Sequence, residues 1–145
     1  MAAIHPHAAM RPSYAALPGL ATLTHFSAGF FTLTLLCDIF YSQTDLLMWQ
    51  DFASWLLFFG LIAGGIAAVL WLVSFATDRL RPVWGAVVLQ AVVLFCALIN
   101  SLIHAGDGWT AVVPWGIAMS ALTCLLMLVA ALLNRRAAHR PLQRA

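Results

Sequence analysis

The chain contains no lysine and no glutamate. Its seven basic residues are all arginine, its five acidic residues are all aspartate, and charged positions make up 8% of 145. A water-soluble domain carries about a quarter charged residues, so a soluble fold of this length would lack the polar groups to cover itself. The same scarcity excludes a disordered tail and a coiled coil, both of which depend on abundant charge. A formal charge of +2 also excludes a nucleic-acid binder, which needs a strong basic field. What fills the chain instead is apolar: 63% hydrophobic residues and a mean hydropathy of +0.95. Such a composition belongs in a lipid bilayer.

Crossing the hydrocarbon of a bilayer takes a helix of about 20 apolar residues. Four such runs occur, at 20–41, 53–76, 83–103 and 111–134. They are continuous rather than alternating, so they read as helices and not as barrel strands. Asp38 is the single charge inside any of them. The connections are too short for anything but reversal, which gives an all-α, integral membrane, up-down-up-down four-helix bundle. Pro82 suits the first turn of the third helix, and Asp107-Gly108 marks the turn before the fourth.

Arginine placement sets the orientation. Arg11 precedes the first helix, Arg79 and Arg81 lie between the second and third, and Arg135, Arg136, Arg140 and Arg144 follow the fourth. All seven fall on one side, so the positive-inside rule places both termini in the cytoplasm. Trp49, Trp55, Trp109 and Trp115 fall at the opposite boundary, as an aromatic belt does. Residues 1–19 are interrupted by Pro6, Pro12 and Pro18 and do not read as a cleaved signal. They form a cytoplasmic or interfacial segment, the first helix acts as a signal-anchor, and 135–145 form an Arg-rich cytoplasmic tail.

Several groups bear chemistry, and each also has a plain structural reading. Asp38 lies about one turn from the outer end of the first helix, at the depth of Asn100 and His104 in the third. An intramembrane carboxylate marks a functional site by default, here a proton-relay or ligand site with His104; the other reading is a carboxylate that reaches the interface. Gln90, Ser101 and His104 follow one line along the third helix, with Asn100 one turn before His104, and form a polar stripe that faces the bundle interior. The stripe either lines a polar cavity or ties helices together. Gly60 and Gly64, with neighbouring alanines, form a small-residue face for helix packing within the bundle or for a homo-oligomer. Cys37, Cys96 and Cys124 lie in three different helices with no metal-ligand spacing, so they read as small apolar fillers and any metal is unknown.

His25 sits about 7 to 8 Å inside the first helix. Four-helix membrane bundles hold haem b through histidines at such depths, and a second axial ligand would come from His5, His7 or His139, since His104 belongs to the other leaflet. The alternative is a histidine that only hydrogen-bonds.

The pair His25-Phe26 with its apolar stretch to Asp38, the run 56–78 ending Ser74-Phe75-Ala76-Thr77-Asp78, and the stretch 100–109 followed by Val113-Pro114 together resemble the bacterial membrane-protein family catalogued as domain of unknown function 2231. The likeness covers nearly all of 20–134. Members carry a His-Pro dipeptide just before the His-Phe pair, where this chain has Leu23-Thr24, and a histidine and asparagine early in the third helix, where it has Gly85 and Gln90. The resemblance implies an accessory membrane subunit that accompanies periplasmic dehydrogenases and cytochromes.

Three functions follow in order. The first is a redox-associated accessory subunit that binds haem b or quinone and works with a membrane or periplasmic redox protein. The second is a non-catalytic anchor or assembly protein that recruits partners through small-residue faces on helices two and four, the latter through Gly116, Ser120 and Thr123. The third is a proton or small-solute permeation bundle using Asp38, Asn100 and His104. No hydrolase triad, phosphate loop or zinc spacing is present, so the chain by itself does not read as an enzyme.

Overall fold

A computed structural model describes residues 16–80, 82–106 and 112–138. The described residues are helical throughout, with no strand: α1 spans Leu20–Thr44, α2 Leu47–Ala76, α3 Trp84–Ala105, and α4 Ile117–Ala138, the last preceded by a wide turn at Val112–Gly116. All four are long and apolar enough to cross a membrane. At 1.5 Å per residue the 30 residues of α2 reach about 45 Å, beyond the hydrocarbon thickness, so α2 tilts or extends into the interface.

Local chemistry explains the helix limits. Asp45 ends α1 in a left-handed conformation (φ 55°), its N–H donating to Tyr41 O at 2.8 Å. At the end of α2, Asp78 takes the same conformation (φ 53°) while Arg79 N–H donates to Ser74 O at 2.8 Å and Asp78 N–H to Phe75 O at 3.1 Å. This is the glycine-type terminator with aspartate in the left-handed position, a place short polar side chains tolerate. α2 starts at Leu47 although its apolar run starts at Ala53. Trp49, Gln50 and Asp51 interrupt hydropathy but not helicity. Pro114 acts the other way: it holds Val113 extended (φ −115°, ψ 118°), so regular helix begins only at Ile117.

The bundle is inside out relative to a soluble one. Large apolar side chains such as Phe58, Phe59, Phe95, Leu102 and Leu125 face outward, whereas small and polar ones are buried. Lipid is as apolar as leucine, so helices associate through close backbone approach and hydrogen bonds rather than by hiding hydrocarbon. Gly60 and Gly64 show how. A Cβ on Gly60 would stand 2.6 Å from Cε1 of the buried Phe31, and one on Gly64 2.5 Å from Leu94 Cδ2 and 2.8 Å from Ser27 Oγ. The hydroxyl of Ser27 donates to Gly60 O at 2.9 Å in that contact. This glycine face therefore serves packing within the chain. Phe31, Leu57, Val93 and Ala97 form the central apolar layer, with Leu61, Leu94, Leu126 and Met127 around it.

Candidate functional site

Past that apolar layer, three helices deliver four polar side chains to one point. Asp38 comes from α1, Asn100 and His104 from successive turns of α3, and Ser120 from the first turn of α4. Asp38 and Asn100 are 0% exposed, Ser120 2% and His104 5%. Asp38 therefore does not reach the interface within this chain.

The bonds form a closed circuit. His104 Nε2 lies 2.8 Å from Asp38 Oδ1, and Ser120 donates its hydroxyl proton to Asp38 Oδ2 at 2.5 Å. Asn100 Nδ2 donates to Ser120 Oγ at 2.7 Å. The other imidazole nitrogen, His104 Nδ1, lies 2.9 Å from the backbone oxygen of Asn100 one turn back. A carbonyl oxygen only accepts, so Nδ1 carries a proton. The 2.8 Å contact between Nε2 and the carboxyl oxygen then needs a proton of its own, held either as imidazolium and carboxylate or as neutral imidazole and carboxylic acid. Both forms leave the pair neutral, which is how a carboxylate avoids a large desolvation cost in lipid. Asn100 Oδ1 is the one buried acceptor of the cluster without a partner.

Ser120, Asp38 and His104 are the residue types of a hydrolase triad in the wrong order. Here the carboxylate sits between serine and histidine, so the imidazole cannot take the serine proton. What the arrangement does is hold one proton and clamp α1, α3 and α4 together. Gly116 makes room for it, since a Cβ there would stand 3.1 Å from His104 Cε1.

Of the residues expected to act together, Asp38, Asn100 and His104 meet, and Gln90 does not. Gln90 lies ten residues before Asn100, about 15 Å away along α3, and lines a crevice with Thr24 and Asn134 at the other end of the bundle. Ser120 is the member that sequence reasoning misplaced. Gly116, Ser120 and Thr123 were expected on a partner-recruiting face of α4, but all three are buried inside the bundle. Their spacing at i, i+4 and i+7 on one face of α4, with Ser120 level with Asp38, is the signal that could have placed them inside the bundle.

His25 is exposed on the outward side of α1, over a hollow of about 530 Å³ lined by Phe26, Phe30 and Leu33. No described residue hydrogen-bonds its ring. His5, His7 and His139 lie outside the described residues. Among the described residues the donor set for a haem inside the bundle is not met: His25 faces away from the interior, and both nitrogens of His104 are engaged. No group of three metal-ligating side chains occurs among them either. Cys37 and Cys96 are buried apart, and Cys124 Sγ lies 3.8 Å from Phe31 O.

Four apolar helices of spanning length, with lipid-facing hydrocarbon and a polar cluster sealed within, define a multi-pass membrane protein. Residues 21–140 match the family model described as predicted membrane protein, DUF2231, and the chain belongs to that family. No curated protein and no solved structure matches it.

Proposed function

We propose that the chain is a non-catalytic accessory protein of the bacterial inner membrane that anchors or assembles a partner within the bilayer. The observation that carries this reading is the closure of the Asp38 cluster. Its polar groups, Asn100 Oδ1 apart, are bonded to one another, buried, and engaged in joining three helices, so the cluster acts on the bundle itself. The same closure weighs against a permeation path through it.

An up-down-up-down arrangement is supported by contacts at the two ends. Leu17 N–H meets Ser74 Oγ at 3.1 Å and Phe75 meets Trp84 edge to face at one end, while the Asp38 cluster gathers the other. Arg79, Arg135 and Arg136 lie at the first of these ends, which supports cytoplasmic termini. Partner contact is assigned to the outer side of α1, where His25 stands in the spanning segment with no hydrogen-bond partner among the described residues.

Cysteines introduced at Gly29 or Leu33, on that side, and at Val69, exposed on α2, test the assignment in native membranes. A discrete crosslinked adduct from the α1 positions and none from Val69 is expected. Equal labelling, or a product of twice the chain's mass alone, would remove the accessory role.

One observation favours a second reading, a redox-associated subunit that shares haem b or quinone with its partner: the His25 ring is outward, aromatic-flanked and beside a hollow. The protein purified in mild detergent with that partner would then show a Soret band and a pyridine-haemochrome signal, or a bound quinone on extraction. Absence of all three eliminates it.

A further inference from the structure

A second hollow, of about 520 Å³, opens at the end of the bundle opposite the Asp38 cluster, beneath the link between α2 and α3. Small side chains create it: Gly64, Ala67 and Ala68 on α2 stand across from Ala86 and Ala91 on α3. Its depth is apolar, bounded by Gly64 and Leu94. One turn nearer the mouth, about 6 Å on, stands Gln90, and Asn134 closes the wall from α4. Neither amide has a hydrogen-bond partner among the described residues, although both sit in or beside a spanning segment where such a group is costly to leave unpaired. At the mouth, Leu80 and Asn134 line the hollow, and the exposed Arg79 and Arg135 adjoin them in the chain, with Arg136 next in line and Asp78 the one opposing carboxylate.

The chemistry thus changes in order from the interior outward: hydrocarbon walls, then amide donors, then guanidinium groups. We propose that this crevice binds one anionic glycerophospholipid. An acyl chain lies along Ala67, Ala68 and Ala91, above the point where Leu94 packs on Gly64, the ester carbonyls accept from the Gln90 and Asn134 amides, and the phosphate lies against Arg79 and Arg135. A zwitterionic lipid satisfies the first two zones but cancels the third, so charge selects the occupant. A crevice walled by alanine and glycine in a membrane does not stay empty, and the arginines determine which of the surrounding lipids resides there longest.

The test uses the full chain in nanodiscs of equal phosphatidylglycerol and phosphatidylcholine, released gently for native mass spectrometry. One retained phosphatidylglycerol is expected, preferred over phosphatidylcholine. Each of Arg79→Gln and Arg135→Gln lowers that preference about fivefold, the worth of one arginine near a lipid surface. Gln90→Leu shortens retention of both lipids without changing the preference. Ala91→Phe, at a lipid-exposed wall position where added volume meets no core, abolishes retention while circular dichroism and gel filtration stay as in the parent chain. In the parent protein itself, raising salt narrows the preference, which keeps the test independent of any variant's folding. Equal retention of the two lipids, retention unaffected by Ala91→Phe, or no retained lipid at all would overturn the assignment. Displacement of the bound lipid by an added quinone would overturn it too.

Discussion

Replacing Asp38 by alanine removes two bonds at once and leaves the Ser120 hydroxyl proton and one imidazole nitrogen of His104 without a partner inside the bundle. Hydrogen bonds between membrane helices average about 0.6 kcal/mol and reach about 1.7, while a buried group left unsatisfied costs about 1–3 kcal/mol. Two bonds lost and two groups stranded give a destabilisation of about 3 kcal/mol, or roughly a hundredfold in the folding equilibrium. Asparagine at the same place behaves differently because of the protons. Its oxygen accepts from Ser120, and its amide donates to Nε2 of a neutral imidazole whose Nδ1 proton remains on Asn100 O. The circuit closes again without a carboxylate, so Asp38→Asn changes stability by less than about 1 kcal/mol. Unfolding in mixed dodecylmaltoside and SDS micelles, followed by tryptophan fluorescence, measures both. A double-mutant cycle with His104→Ala isolates the pair, with an expected coupling of about 1 kcal/mol. If the asparagine variant were as unstable as the alanine one, or alanine cost nothing, the proton assignment and the clamp would both be wrong.

Glycine substitutions separate interior from lipid-facing positions. Gly60→Ala drives a methyl against the Phe31 ring and costs about 1–3 kcal/mol in the same assay, whereas Gly65→Ala, with nothing within 4 Å of its Cβ, leaves stability unchanged or slightly higher. Gly116→Ala presses on His104 Cε1 and should shift the imidazole nitrogen resonances of that residue while leaving the others in place. For orientation, the three native cysteines are replaced and single cysteines set at Gln43 or Thr77, both exposed beyond opposite ends of the polar and apolar layers. A membrane-impermeant thiol reagent added to intact cells labels position 43 and not 77; the reverse pattern inverts the topology.

The four spanning helices were legible from composition because lipid admits so few backbone solutions and the chain is almost free of charge. The helix ends were less so. Trp49–Asp51 reads as interface by hydropathy yet is helical, and Pro114 makes α4 regular later than its apolar run begins. Asp38 and His104 were paired by depth alone, since two polar groups level with each other in a thin bundle have few other partners. Ser120 escaped because small residues on a membrane helix fit an outer contact face and an inner one equally well, and only the level it shares with Asp38 favours the inner one. Gln90 was grouped with His104 because both share a helical face, but a face runs the whole thickness of the membrane and serves different neighbours at each depth.

The Asp38 clamp also bears on how the chain comes to be inserted. Its partners are synthesised late: His104 follows Asp38 by 66 residues and Ser120 by 82. At about 5–20 residues per second, the carboxyl waits about 4–16 s for the last of them. Throughout that interval α1, the least hydropathic of the four helices, carries a carboxyl without its native partners, which is met by protonation or by water at the interface. Only a chain synthesised through α4 therefore meets both oxygens of the buried carboxyl as the folded bundle does.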